Sequence, residues 1–294
     1  ISFSLKMNFV PRCGLALAAS LYLVFSGLKK RSLSRSGACA AFFVGLVSLS
    51  ISARLGLTLI LFYKSSSILT KVGQKKKAQL DDHHVTDGQR TATQVLSCSG
   101  IACVVAVIMY YLEGEDMLAM GVNYSSHPTT SFLLCAYLGH YACCNGDTWS
   151  SELGVLSRSP PILITQPWRT VPAGTNGGVS TMGTLAAGAA GVVIGAGFLL
   201  FGWMQGAPQD GQYLLIPFGG MCGLLGSMLD SLMGATLQAT YYDREKKCIT
   251  SKVEGKSSDV VRVCGYDILT NEQVNLLSVL VTTIGSGYMG ALMF

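Results

Sequence analysis

The feature that most constrains this chain is the recurrence of apolar segments long enough to cross a lipid bilayer. A bilayer core takes about 20 apolar helical residues, with about 17 near the lower limit. The segments 10–28, 93–112, 130–147, 178–204, 213–234 and 272–294 meet that requirement. Only 13% of the 294 residues are charged, about half the share of a soluble domain. That is too little charge to solvate a globule of this size. Glycine occurs 34 times, about twice ordinary usage, and small residues let membrane helices approach closely. Of the 10 cysteines, only Cys248 and Cys264 lie outside apolar segments, and no pair has C-x-x-C spacing. They read as small packing residues, not as a disulfide framework or a zinc site.

The stretch 37–70 allows two arrangements. One long helix would place Arg54 inside the hydrocarbon, at a cost of about 2.5–3.5 kcal/mol on insertion scales. Two short helices, 36–51 and 54–70, turning at Ser50–Arg54, would bring Arg54 to an interface instead. The positive-inside rule favours this hairpin. With eight spans, all of the 21 Lys and Arg except Lys6, Arg12 and Arg54 fall on one side. That side holds 29–35, 64–92, 148–177 and 241–271 and is assigned to the cytosol. The sequon Asn123-Tyr124-Ser125 then lies on the lumenal side. The expected fold is all-α: a polytopic integral membrane protein with about eight transmembrane helices, including a short hairpin at 36–70. It forms one transmembrane helical domain over 1–294, with 241–271 as a cytosolic loop holding a short hairpin. The run Lys75, Lys76, Lys77, Asp81, Asp82, His83, His84 reads as a solvated loop. Residues 13–28 imitate the apolar core of a signal peptide. Lys29, Lys30 and Arg31 follow them, not a small-residue cleavage site, so a membrane helix is expected.

Four polar stretches stand out against this background. Asn145 to Gly154 closes the fifth span, and Gly146 would let the backbone turn there. Asp147 and Glu152 are five apart, so a continuous helix would not place them directly on one face. Two carboxylates at a membrane surface can hold Mg²⁺, which takes few protein oxygens plus substrate phosphates. They can equally cap and solvate a helix end. Val171 to Ser180 carries Gly174, Thr175, Asn176, Gly177 and Gly178 just before the sixth span. A glycine-rich turn opening a helix offers free N–H groups and the positive end of the helix dipole to an anion. Arg169 upstream could clamp a phosphate. The Gly-Lys-Ser/Thr ending of a Walker A loop is absent, and an ordinary loop-to-helix junction is the alternative. Asp230 interrupts an apolar helix beside Ser227 and Ser231, and an ionisable residue in a span points to function. Gly219, Gly223 and Gly226 have the spacing of helix packing. The fourth stretch is basic: Lys29, Lys30 and Arg31, then Lys64, Lys71 and Arg90, where topogenic charge is the plainer explanation. Asn271 and Asn275 lie one turn apart at the start of the last span. All these stretches would meet at the cytosolic face, and carboxylates, anion-binding turns and cations are the parts of phosphoryl transfer.

The motifs match a known family. Gly27 to Leu33, Ser65 to Lys71, Gly88-Gln89-Arg90, Gly146 to Gly154, Pro172 to Ser180, Gly226 to Thr236 and Asn271 to Ser278 run in the family's order across nearly the whole chain. The sequence resembles transmembrane protein 19 and its relatives, which include the plant phytyl-phosphate kinase of vitamin E synthesis. That resemblance implies a membrane kinase passing a phosphoryl group from CTP or ATP to an isoprenyl monophosphate, such as phytyl or geranylgeranyl phosphate, to give the diphosphate. By the same resemblance, Asp147, Glu152 and Asp230 would be the catalytic carboxylates holding Mg²⁺ and the nucleotide phosphates. Gly174, Thr175, Asn176, Gly177 and Gly178 would cradle phosphate, and Asn275 would join them. Lys29, Lys30, Lys71, Arg90 and Arg169 would balance phosphate charge. The family often begins with a further apolar segment, so an N-terminal truncation is expected.

Two other functions fit a membrane protein with one polar face. A lipid or anion transporter would line a path with polar residues from its spans, although no inverted repeat is evident. A CTP-dependent nucleotidyl transferase would release pyrophosphate where a kinase releases nucleoside diphosphate. The expected partners are membrane lipid, an isoprenoid monophosphate and a nucleoside triphosphate, with no nucleic acid. The expected location is a multi-pass position in the endoplasmic reticulum, motif loops facing the cytosol; the residues leave oligomeric state open.

Overall fold

The computed structural model describes residues 9–73, 89–117, 120–208, 210–250 and 259–294. The cluster from Lys75 to His84 lies outside the described residues. Among the described residues, eight α-helices follow one another where about eight spans were expected. They are α1 (Phe9–Lys29), α2 (Arg35–Ile51), α3 (Ala53–Thr70), α4 (Ala92–Met117), α5 (Pro128–Gly154), α6 (Thr181–Met204), α7 (Leu215–Leu237) and α8 (Asn271–Gly290). By length and composition alone, Val10–Lys29, Ala92–Gly114, Thr181–Met204 and Gln212–Leu237 are apolar enough to cross a membrane.

The hairpin forms as expected, with Ser52 extended (φ −157°, ψ 135°) between α2 and α3. Gln205, the residue that caps α6, closes it: its Oε1 accepts from Ser52 Oγ at 2.8 Å and from the Arg54 N–H at 2.9 Å. Arg54 sits at a helix start but not at an open interface, which corrects the expected placement. It is 1% exposed. Its guanidinium donates to Phe198 O at 3.1 Å and Met120 O at 3.2 Å, and lies 3.8 Å from the centre of the Phe198 ring. Protein carbonyls and an aromatic face replace the water that a cation in the membrane would lose.

Helix α5 is buried almost all round from Thr130 to Gly146 and forms the axis of the bundle, as a helix apolar on every side must. Several of its buried polar groups are paired, while among the described residues the Tyr141 hydroxyl has no partner. His140 contacts Thr283 Oγ1 at 3.1 Å and Cys98 O at 2.9 Å. Tyr137 donates to Leu55 O at 2.9 Å. Gly219 and Gly223 let α7 approach α6 backbone to backbone: a Cβ on Gly223 would lie 2.8 Å from Ala187 O. All ten cysteines are free thiols, four of them buried in α5 and α7, which is the packing role expected of them.

Among the described residues, two small antiparallel sheets cover the polar end. The first joins β1 (Ile162–Leu163), β2 (Gln166–Thr170) and β3 (Gly178–Val179) in the order β2-β1-β3. The second joins β4 (Thr240–Asp243), β5 (Cys248–Thr250) and β6 (Val260–Cys264) in the order β5-β4-β6. Among the described residues, 241–271 therefore holds strands β4 to β6, where the sequence suggested one short hairpin. Leu163, Val171, Ala235 and Val263 form a small core beneath the two sheets.

Candidate functional site

The helix ends that carry the polar motifs converge. One cavity of about 580 Å³ is lined by Arg90, Asp147, Glu152, Gly174 to Gly178, Asp230, Asn271 and Asn275. All eight of these helices contribute to it, together with the loops between them, so its polar lining exists only in the folded chain.

Asp147 and Asp230 are brought together by the parallel packing of α5 and α7. Gly226 meets Cys143 so closely that a Cβ would strike its side chain. Asp147 and Asp230 each follow that contact by four residues, one helical turn further on. They stand close enough for their charges to repel. Asp230 is held in place: Oδ2 accepts from Ser278 Oγ at 2.8 Å. The Asn275 amide, oriented to satisfy both its ends, adds a bond to Oδ2 at 3.1 Å and one to Asn271 O at 3.3 Å. Among the described residues, no hydrogen bond or ion pair engages the Asp147 carboxylate.

Gly146 does not turn the backbone, contrary to expectation; α5 runs unbroken to Gly154. The reason for glycine lies on the neighbouring helix, since a Cβ at 146 would come within 2.5 Å of Gly223 O. Asp147 and Glu152 both line the cavity even so. Asn145, which opens the same motif, is wholly buried. Its Oδ1 accepts from Ser65 at 2.9 Å and Ser66 at 3.0 Å, and its Nδ2 donates to Ala190 O at 3.1 Å. This side chain locks α3, α5 and α6 together directly behind Asp147.

The glycine-rich stretch lines the cavity as a folded loop, not as an open row of N–H donors. Thr175 N bonds Pro172 O at 3.2 Å, Gly178 N bonds Thr175 O at 2.9 Å, and Asn176 N bonds Thr240 Oγ1 at 3.2 Å. Cys264 Sγ donates to Asn176 O at 3.3 Å, and burial pushes this thiol's pKa up, which keeps it a donor. Gly174 and Gly177 have positive φ, 90° and 73°. At Gly177 a side chain would also collide with the backbone of α7 at Ser231. Ser180 caps α6, its Oγ accepting from Gly183 N at 3.1 Å. The loop thus spends much of its donor capacity on its own shape.

The basic residues divide. Arg90 lines the cavity, with its guanidinium 5.7 Å and 5.8 Å from the Phe62 and Tyr63 ring centres. Its backbone is pinned on both sides: Arg90 N bonds Ser32 O at 3.1 Å and Ser34 N bonds Arg90 O at 3.1 Å. Among the described residues, no hydrogen bond or ion pair engages that guanidinium. Lys29, Lys30 and Lys71 are exposed at the ends of α1 and α3 and are not among the lining residues. Arg169 is likewise outside the lining; it ties the sheets together, donating to Val263 O at 3.0 Å and Gln166 Oε1 at 3.4 Å. Ser278 and the aromatic pair Phe62 and Tyr63 were not singled out from sequence. Ser278 had a signal, lying three residues after Asn275 on one helix face; the aromatic pair had none.

Two opposed carboxylates suit Mg²⁺, which prefers oxygen ligands and completes its shell with water and phosphate. Among the described residues there is no preformed group of three His, Cys, Asp or Glu around a metal position. The donor set therefore fits a hard cation that arrives with phosphate, and not a closed structural metal site.

Residues 18–283 match the family described as integral membrane protein DUF92. Protein PGR of Arabidopsis thaliana is 42% identical over 273 residues, which is 91% of this chain and 92% of that protein. An uncharacterized membrane protein of Methanocaldococcus jannaschii is 29% identical over 269 residues, 90% of this chain and 87% of that protein. Protein VTE6, chloroplastic, also of Arabidopsis thaliana, is 27% identical over 167 residues, 56% of this chain and 46% of that protein. No solved structure matches the chain.

Proposed function

We propose that this chain, which belongs to the DUF92 family of integral membrane proteins, transfers a phosphoryl group from a nucleoside triphosphate to an isoprenyl monophosphate at the membrane surface. One observation carries this reading: a carboxylate, Asp147, and a guanidinium, Arg90, both without a hydrogen bond or ion pair among the described residues, line a single cavity that continues into the apolar bundle. A lone phosphate would suit Arg90 but not Asp147, whereas a phosphate that brings a cation suits both. The resemblance of the motifs to the plant phytyl-phosphate kinase supports the same chemistry.

In this account Asp147 and Asp230 would hold Mg²⁺, which would draw charge from the phosphate oxygens when bound. Ser278 and Asn275 fix Asp230 so that only Asp147 has to move. Glu152, on the same cavity wall, would hold the nucleotide side of the site. Arg90 faces the monophosphate and offsets its charge, because repulsion between two polyanions is the main barrier. An oxygen of the monophosphate attacks the terminal phosphorus of the triphosphate. The new O–P bond forms as the bond to the bridging oxygen breaks, and nucleoside diphosphate leaves. The attacking oxygen is already ionised, so no general base is required. The distribution of Lys and Arg supports a cytosolic motif face, and the endoplasmic reticulum is the membrane proposed.

The test is an assay of the purified chain with phytyl, farnesyl and geranylgeranyl monophosphates, Mg²⁺, and CTP or ATP. Isoprenyl diphosphate and nucleoside diphosphate in equal amounts are expected. Pyrophosphate release would point to nucleotidyl transfer, and no product from folded protein would remove the kinase reading.

A further inference from the structure

The cavity does not end at its polar residues. It continues inward between α1, α2 and α3, where Leu23, Val44, Gly45, Leu49 and Ile60 line it, together with Ser20. Among the lining residues in 20–24, 41–49 and 59–60, Ser20 is the one polar side chain. At 1.5 Å per helical residue, Gly45 lies about 15 Å and Leu49 about 21 Å along α2 from its polar end at Arg35. This limb is therefore deep and apolar, and it belongs to the same cavity that Asp147 and Arg90 line.

Its far end has an unusual makeup. Ser20 is 2% exposed, and among the described residues its hydroxyl has no hydrogen-bond partner. Gly45 faces it across the contact between α1 and α2: a Cβ on Gly45 would lie 3.1 Å from Ser20 Oγ. Two of the smallest side chains thus meet at one depth, and a larger residue at either place would fill the space. Leu49 lies one turn beyond Gly45, lines the limb and rests on Gly56.

We infer that this limb holds the hydrocarbon tail of a lipid monophosphate, and that Gly45, Ser20 and Leu49 set the longest tail accepted. The inference rests on the phosphate reading of the polar end. A tail is the occupant that matches both halves of one continuous cavity, with its phosphate at Arg90 and its chain running down the limb. A water-soluble phosphate would leave the limb empty, and a neutral lipid would leave Asp147 and Arg90 unpaired.

The experiment uses the full chain in phosphatidylcholine nanodiscs. Thermal stabilisation by geranyl, farnesyl, geranylgeranyl and phytyl monophosphates is titrated, with inorganic phosphate and the free alcohols as controls, and turnover is measured in parallel. Stabilisation by the wild type should depend on chain length. Gly45→Leu should weaken binding of the longest tails about tenfold while short tails bind as before, as expected when a filled space excludes only what reaches it. Leu49→Ala should shift the preference toward longer tails, an opposite change that a merely damaged fold would not give. The same chain-length response in all three proteins overturns the inference, as does the absence of stabilisation by every prenyl monophosphate in the wild type. Binding in the expected pattern without turnover leaves the tail site standing and removes the kinase reading instead.

Discussion

Arg54 stands in the first turn of α3 and the Arg90 guanidinium lies near rings at the middle of that helix, so both cations neighbour aromatic side chains. Arg54 spends its charge on the protein, with two carbonyl acceptors and the Phe198 ring, in a place where solvent does not reach. Arg90 has its backbone pinned and its guanidinium lining a cavity, and among the described residues neither it nor Asp147, which lines the same cavity, has a hydrogen bond or ion pair. A buried charge that is fully partnered holds a fold together. Charges of opposite sign that line one cavity and do not pair are set up for something that comes from outside. The difference separates a structural end of the bundle from a binding end.

Substitutions at the two ends should therefore fail in different ways. Arg54→Ala strands two carbonyls and opens a void beside Gly202, and should cost about 3–5 kcal/mol of stability. Thermal unfolding should show the loss, while activity per folded molecule stays near wild type. A variant with unchanged unfolding would break the comparison. Asn145→Ala removes three buried hydrogen bonds behind Asp147 and should cost about 2–3 kcal/mol. Here activity should fall along with stability, because the same side chain sets the position of α5 at the site. Arg90→Gln should leave stability within about 0.5 kcal/mol. It should raise the KM for the monophosphate about tenfold, equivalent to about 1.4 kcal/mol, with partial recovery in Arg90→Lys, which keeps the charge without the fork. Ser278→Ala frees Asp230 on one side and should lower kcat by a few-fold, matching about 0.5–1.5 kcal/mol for one hydrogen bond.

Features set by the bilayer were legible in the residues. The hairpin follows from the cost of Arg54 at mid-membrane, and the convergence of the motifs follows from the placement of Lys and Arg. Features set by neighbours across the bundle were not. Gly146 reads as a turn until Gly223 is seen against it. The strands at 162–163 and 178–179 are two residues each, too short to show a period. Arg169 looks like a phosphate clamp until its bond to Val263 O appears. The N–H groups of Thr175, Asn176 and Gly178 look available until their partners are known. The apolar limb left no trace, because side chains facing a lipid tail in a cavity and lipid in the bilayer are chemically alike. The carboxylates Asp147 and Asp230 were visible from their position in apolar helices, but that they face one another depends on the contact of Cys143 with Gly226.

Among the described residues nothing pairs with the Asp147 carboxylate, and the proposed reason is that it belongs to a ligand. The most direct measurement is phosphoryl transfer to geranylgeranyl monophosphate by wild type and Asp147→Asn, with thermal unfolding of both recorded without ligand. The account predicts a loss of at least about 10²-fold in kcat for Asp147→Asn, with thermal stability equal to wild type or higher, since a repelling charge is gone. Comparable activity in the two proteins, or a variant that unfolds in place of losing catalysis, would contradict it.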